Sequence, residues 1–319
     1  MKRSSVLFIQ TAFIGDVILM TAQLETWHKA FPQDDIDILV KKGNEKLFEG
    51  HPFIRNVLVM DKSAGKWREL RRLVKEVRLA RYDKVFNLHR FFSSGWIAAR
   101  SGAPVRVGFD KNPMSAFYTS RISHSVEGGQ HEIERNHEVI QAFAKCDTSM
   151  PRLYPTQDDL MTAKAKGDYY VMAPASVWFT KQYPVEGWLQ LIASLDRNVP
   201  IYLIGAPGDR GLCDEIINRA GDRPLVNVAG EMTLLQSAAL IACARMSYVN
   251  DSAPMHLATA MNAPVTAIYC STVPSFGFGP RSEQSIVKET YHDLDCRPCG
   301  LHGHKACPKG HFKCSEMRW

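Results

Sequence analysis

The stretch Asn250-Asp251-Ser252-Ala253-Pro254-Met255-His256-Leu257-Ala258 is the part of this sequence best suited to hold a phosphate. It separates two apolar segments, residues 246–249 and 265–269, that read as short buried strands, and itself reads as a helix start. Ser252 is a suitable N-cap, because its hydroxyl can accept a hydrogen bond from an N–H of the first turn. Pro254 fits that turn, where its missing N–H costs nothing. A helix start offers unpaired N–H groups and a partial positive charge, and a phosphate suits both. Between two strands it falls at the carboxyl edge of a parallel sheet, where open α/β folds bind nucleotides.

Two other patterns carry chemistry. Four of the eight cysteines fall near the C-terminus as Cys296-x2-Cys299-x7-Cys307-x6-Cys314. The Cys-x-x-Cys half has metal-ligand spacing, whereas six residues between the last two thiols match no common knuckle. Gly300, Gly303, Pro308 and Gly310 suit a tight wrap, and His302, His304 and His311 are alternative ligands. In a reducing compartment structural zinc is the expectation, ahead of free thiols and then disulfides. The other four, Cys146, Cys213, Cys243 and Cys270, fall in expected core elements and read as small apolar fillers. The second pattern runs from Lys66 to Arg81, with seven basic residues against Glu69 and Glu76. Trp67, Leu70, Val74 and Val77 recur at helical spacing, so this is an amphipathic helix with a basic outer face. That face is either simply solvated or turned toward anionic lipid headgroups or an anionic acceptor.

The elements that must position these residues follow from apolar periodicity. In the first half, strands are expected over 6–10, 36–40, 57–60, 84–88 and 106–109. Helices are expected over 16–30, 45–49, 66–81, 96–101 and 132–146. Residues 147–167 hold Pro151, Pro155 and Gly167 with few apolar side chains, and the domain boundary is placed there. A second series has strands over 169–172, 201–204, 225–228, 246–249 and 265–269, with helices over 185–196, 209–220, 234–244 and 253–261. Strands alternating with helices predict an α/β protein with two Rossmann-like, doubly wound domains, 1–155 and 156–319, the latter ending in a cysteine-rich tail at about 292–319. With 319 residues, 45% hydrophobic and 23% charged, the composition is that of a soluble globular protein. No apolar run approaches the roughly 20 residues needed to span a bilayer. Met1-Lys2-Arg3 precedes Val6-Leu7-Phe8-Ile9, but Gln10 and Asp16 interrupt the pattern and no small-residue cleavage site follows. The segment reads as the first strand of a mature cytoplasmic protein rather than a signal peptide.

Four segments, in order along the chain, resemble the bacterial heptosyltransferases, glycosyltransferase family 9. They are Thr11-Ala12-Phe13-Ile14-Gly15-Asp16-Val17-Ile18, the run from Ala173-Pro174-Ala175-Ser176-Val177-Trp178 through Lys181-Gln182-Tyr183-Pro184, Ile204-Gly205-Ala206-Pro207-Gly208-Asp209, and Asp251-Ser252-Ala253-Pro254-Met255-His256. Four positions in three of these segments depart from the family pattern. Ala253 replaces the usual glycine, Lys181-Gln182-Tyr183 replaces Lys-Arg-Trp, and Asp209 replaces a glutamate.

The resemblance implies a GT-B fold, with an N-terminal acceptor domain and a C-terminal nucleotide-sugar domain facing a cleft. It implies inverting transfer of a heptose or related sugar, from a donor such as ADP-heptose to a lipopolysaccharide core or similar glycan. Such a reaction needs a base for the acceptor hydroxyl and cations or N–H groups for the leaving diphosphate. Asp16, on the turn supported by Gly15, becomes the base. A helix start lowers the pKa of a carboxylate, so an ionised but weak base is expected. Lys181 would neutralise the diphosphate, on a loop supported by Ser176 and Trp178. Ser252 and the N–H groups of Ala253 through Met255 would hold phosphate oxygens.

His256 would donate to phosphate or sugar, or else be a core histidine. Asp209 would accept from ribose hydroxyls or cap its helix, and Asp251 is either a donor contact or a loop-orienting residue. No cofactor is expected in catalysis, and structural zinc in the tail would be the sole metal. The implied partners are a nucleotide sugar, an anionic glycolipid or glycan, and the inner face of the cytoplasmic membrane as a peripheral site. A sugar-nucleotide epimerase of GT-B type shares the donor site but needs no acceptor. A nucleic-acid binder is disfavoured because Trp67 falls on the expected buried stripe rather than among the exposed basic residues.

Overall fold

The computed structural model describes residues 3–319, so Met1 and Lys2 of the N-terminal basic segment lie outside the described residues. The chain divides into two compact units, Met1–Tyr154 and Pro155–Trp319.

The first unit contains β1 (Ser5–Gln10), α1 (Ile14–Ala30), β2 (Asp35–Lys41), β3 (Ile54–Met60), α2 (Lys66–Ala80), β4 (Lys84–Asn87), α3 (Phe92–Arg100), β5 (Val105–Phe109), β6 (Ser120–Ile122) and α4 (Glu132–Gln141). Its six strands pair in parallel in the order β3-β2-β1-β4-β5-β6. Val6 to Ile9 of β1 are fully buried, as a central parallel strand covered on both faces requires. Leu7, Ile9, Leu39 and Val85 pack against Leu70, Leu73 and Val77 of α2 and Ile97 of α3.

The second unit contains α5 (Gln157–Lys164), β7 (Tyr170–Ala173), α6 (Val185–Ser194), β8 (Ile201–Leu203), α7 (Arg210–Arg219), β9 (Leu225–Asn227), α8 (Leu234–Ala242), β10 (Met246–Asn250), α9 (Ala253–Ala260), β11 (Val265–Tyr269) and β12 (Ser285–Glu289). Its sheet is also parallel, ordered β12-β11-β10-β7-β8-β9. Each sheet therefore reverses its winding between its first and fourth strands, β1 and β4 in one and β7 and β10 in the other. Those switch points leave crevices at the strands' carboxyl ends. Met172, Trp188, Ile201, Leu203 and Ile216 form one face of the second core, and Cys314 and Met317 of the tail are built into it.

Several elements differ from the sequence expectation. β6 and β12 carry no apolar alternation, because both are edge strands with no buried residue, β12 being mostly exposed. α5 falls inside the expected linker. Only Ala163 of it is buried, and a capping box between Thr156 and Asp159 marks its start. The helix expected to 146 ends at Gln141, leaving Phe143 exposed and Cys146 outside any element. Cys213 and Cys270 are buried fillers, whereas Cys146 and Cys243 are only partly buried.

On α2 the buried stripe is Glu69, Leu70, Leu73 and Val77, and Trp67 is 54% exposed. In the first turn of α2, its ring meets Phe92 and Trp96 of α3 edge-on, with centroids 6.1 and 6.2 Å away. Burial of Trp67 therefore does not argue against nucleic acid. No helix among the described residues is long and apolar enough to cross a membrane.

Candidate active site

In the first unit the short loop 11–13 leaves the carboxyl end of β1 beside that of β4 and leads into Gly15 and Asp16 of α1. The Thr11 hydroxyl lies 2.8 Å from His89 Nδ1, and the Ala12 N–H donates to Gln10 Oε1 at 3.3 Å. Burial, with Lys62 and Arg90 nearby, pushes the His89 imidazole down to about 4, so it is neutral near pH 7. α1 starts at Ile14 with no side-chain cap from Phe13, and Asp16 is the acidic residue of its first turn. The half-buried Asp16 carboxyl is pushed up to about 7. Burial is the main cause and the Glu132 carboxylate the second, while Arg90 and backbone N–H groups pull the other way.

The expectation of a low pKa from the helix start is thus overturned, because desolvation outweighs the dipole. Glu132 is buried in the first turn of α4 and is paired with Arg135 at 2.8 Å. Gln23 of α1 donates to the Ile133 carbonyl at 2.9 Å and ties the two helices together. Sequence reasoning missed His89, Arg90, Glu132 and Arg135, since nothing local joins them to Asp16.

In the second unit the expected donor residues gather at the carboxyl ends of β7, β8 and β10. Asn250 is fully buried at the end of β10. Its side chain accepts the Tyr183 N–H at 3.0 Å and donates to the Pro174 carbonyl at 2.7 Å. It thereby fastens the 174–183 loop, with Ser176, Trp178 and Lys181, to the strand that leads into Asp251. Lys181 Nζ lies 2.7 Å from Asp251 Oδ2, with the two side chains 16% and 10% exposed. The Thr272 hydroxyl donates to the same oxygen at 2.6 Å. Asp251 is therefore held on two sides, in keeping with the orienting role left open for it. Ser176 contributes its carbonyl, which accepts from Gln182 at 2.6 Å.

Ser252 is the N-cap of α9 by position, but its hydroxyl does not cap; it donates to the Asn250 carbonyl at 3.3 Å. This corrects the capping expectation: the hydroxyl is engaged by the Asn250 carbonyl rather than by an N–H of the first turn. The Met255 N–H donates to the Ser252 carbonyl at 3.1 Å, and its fully buried sulfur lies 3.4 Å from the Tyr269 hydroxyl. Met255 is thus a core residue, and the phosphate-binding expectation narrows to Ser252 and the Ala253 N–H. His256 is 5% exposed. Asp209 accepts the Ala206 N–H at 2.7 Å, which closes the Gly205–Asp209 loop; it does not cap α7 with its side chain.

The tail lies against this same edge. No two of the eight cysteines form a disulfide, and Cys296 Sγ lies 3.8 Å from His311 Nε2. Burial pushes Cys314 up to about 11, with Cys307, Cys296 and Cys299 all close enough to influence it. Burial also raises Cys307, but the N–H groups of Phe312, Lys309, Gly310 and His311 outweigh it and hold the thiol below its usual value. No three His, Cys, Asp or Glu among the described residues form a group that could hold a metal.

Two doubly wound units, with a lysine and a helix start at the carboxyl edge of the second, give a GT-B fold. The chain belongs to glycosyltransferase family 9 (heptosyltransferase), whose family model matches residues 70–302. It is 26% identical to lipopolysaccharide heptosyltransferase 1 of Pseudomonas aeruginosa, covering 92% of this chain and 85% of that protein. Two solved structures share the fold. A family 9 glycosyltransferase from Veillonella parvula matches at 21% identity with a TM-score of 0.80, covering 89% of this chain and 85% of that one. E. coli ADP-heptose lps heptosyltransferase II matches at 20% identity with a TM-score of 0.78, covering 92% and 95%.

Proposed function

We propose that this chain transfers a heptose with inversion from ADP-heptose to a lipopolysaccharide core glycan. Asp16 takes the acceptor proton, Lys181 neutralises the leaving diphosphate, and Ser252 with the Ala253 N–H holds phosphate oxygens. Asp209 accepts from the ribose, and His256 backs the loop. The observation that carries the reading is the half-buried ammonium of Lys181, held by Asp251 beside the start of α9. Support comes from the E. coli heptosyltransferase solved with ADP, which matches at 22% identity and a TM-score of 0.74. The test is a donor screen that follows nucleotide diphosphate release with and without extracted acceptor glycolipid. Release that depends on acceptor supports transfer, and sugar conversion without acceptor supports the epimerase instead.

Peripheral binding at the inner face of the cytoplasmic membrane rests on α2. Arg71, Lys75, Arg78 and Arg81 line one groove with Trp96 and Arg100 of α3, beside Leu79, which is 72% exposed. Cations at an anionic surface contribute about 1 kcal/mol each and are screened by salt. Sedimentation with phosphatidylglycerol vesicles is expected to fall by more than about tenfold in Arg71→Glu/Arg78→Glu. Equal sedimentation of parent and variant would remove α2 from the membrane contact.

Structural zinc remains the proposal for Cys296, Cys299, Cys307 and Cys314. Gly300 and Gly310, each just past a cysteine turn, have φ of +79° and +73°, values that suit knuckles aiming N–H groups at thiolates. Bound zinc would lock the tail without entering the reaction. Elemental analysis should find about one zinc per chain, lost when Cys296 and Cys299 become serine. A parent protein free of zinc after growth in zinc-replete medium would exclude the site.

A further inference from the structure

The tail makes two grips on the donor loops that its cysteines alone do not explain. Arg297, between Cys296 and Cys299, is 14% exposed in its side chain and spends its guanidinium on the end of β11. Nε donates to the Cys270 carbonyl at 2.7 Å, while Nη2 donates to the Thr272 carbonyl at 2.8 Å, the Tyr269 carbonyl at 3.3 Å and Glu289 at 2.6 Å. Carbonyls past a strand end have lost their ladder partners, so this one side chain fixes the path of 269–272.

The second grip is Thr180. Its N–H donates to the His304 carbonyl at 3.1 Å, and its hydroxyl accepts the His304 N–H at 2.8 Å and the Ser271 hydroxyl at 3.0 Å. Cys299 donates from its N–H to the Ser271 carbonyl at 2.8 Å. Gly303 lies so close that a Cβ there would come within 3.1 Å of Lys181 Cγ and 3.3 Å of Trp178 Cβ.

The first grip leads to one carboxylate oxygen, and the second holds the residue just before Lys181. Arg297 sets the Thr272 backbone, the Thr272 hydroxyl donates to Asp251 Oδ2, and that oxygen faces Lys181 Nζ. We propose that the tail is a brace for the donor site, with Arg297 and Thr272 as positioning residues that set Asp251 and hence Lys181. The proposal rests on Lys181 meeting the donor diphosphate, as above. Without the Thr272 hydroxyl the Asp251 carboxylate is free to rotate and engage Lys181 with both oxygens, which ties up the ammonium a diphosphate needs. The brace acts on binding, so it moves donor affinity more than kcat.

The experiment is calorimetric titration of the full chain with ADP, alongside circular-dichroism melts to show that each variant is folded. Thr272→Val should weaken ADP binding about tenfold, the size of one charge-assisted hydrogen bond, and Thr272→Ser should restore it. Arg297→Gln should weaken binding in the same direction, and Thr272→Val carries the test if that variant fails to fold. Lys181→Ala is the control. If it loses ADP while folded Thr272→Val binds like the parent, the brace is overturned and the donor site stands. If Thr272→Ser is as weak as Thr272→Val, the hydroxyl is not the link and the brace falls. If Lys181→Ala binds ADP like the parent, the donor reading itself fails and takes the brace with it.

Discussion

Asp16→Asn is expected to lose about a thousandfold in turnover, the scale of a removed general base, and yet to melt higher than the parent above pH 7. The second effect follows from the raised pKa. Between 3.8, the ordinary value, and about 7 the folded protein holds a proton on Asp16 that the unfolded chain releases. The parent therefore loses stability as pH rises through that window and stays at the lower level above it. Asparagine carries no charge to desolvate, so its advantage is full above pH 7 and fades as pH falls toward about 4. At about 1.4 kcal/mol per pKa unit, reduced for partial solvent access, the gain is on the order of 2 kcal/mol. Melts near pH 8 and near pH 4.5, paired with the nucleotide-release assay, measure both effects. Normal turnover would disqualify Asp16 as the base, and identical melting at both pH values would refute its buried, charge-strained setting.

The same carboxyl sets the acid limb of kcat/KM, which should fall as pH drops through about 7. Glu132→Gln keeps a hydrogen-bonding partner for Arg135 but removes the like charge. It should move that limb to lower pH by up to about one unit, because burial, the larger cause, remains.

Lys181→Met should raise the dissociation constant for ADP by about 10- to 100-fold, through loss of a charge-assisted contact to the diphosphate. It should also lower stability by about 2–3 kcal/mol. Asp251 is 7% exposed and would retain the Thr272 hydroxyl as its side-chain donor among the described residues. Removing one member of a buried pair leaves the other uncompensated. Asp251→Asn added to Lys181→Met should recover most of the stability and none of the binding, a split that a double-mutant cycle reads directly. Additive losses would mean that the two residues are not coupled. Unchanged ADP affinity in Lys181→Met would move the diphosphate elsewhere.

The parts of this protein written in local patterns were readable without coordinates. β1, β2 and β11 are largely apolar runs because parallel strands are covered on both faces, and α2 carries a clear apolar stripe. The edge strands β6 and β12 were invisible because solvent, not a core, covers most of their side chains. Trp67 was misplaced because helical spacing gives a stripe but not where a neighbouring helix ends. The helix beginning near Ser252 is where the sequence puts it, but the Ser252 hydroxyl does not cap it, since a carbonyl of the preceding strand competes for that hydroxyl.

The sequence by itself determined the kind of fold, the existence of the strand-to-helix turn at 250–256 and, through four ordered motifs, the family. Tertiary structure decided what those residues experience. It put Glu132 and Arg90 around Asp16, turned an expected low pKa into a raised one, and joined Lys181 to Asp251, Thr272 and, through Arg297, the tail. The reason is range. Apolar periodicity and turn chemistry act over a few residues and leave a trace in the sequence. Electrostatic and hydrogen-bond partners are chosen by how strand ends line up, and partners far apart in the chain leave none.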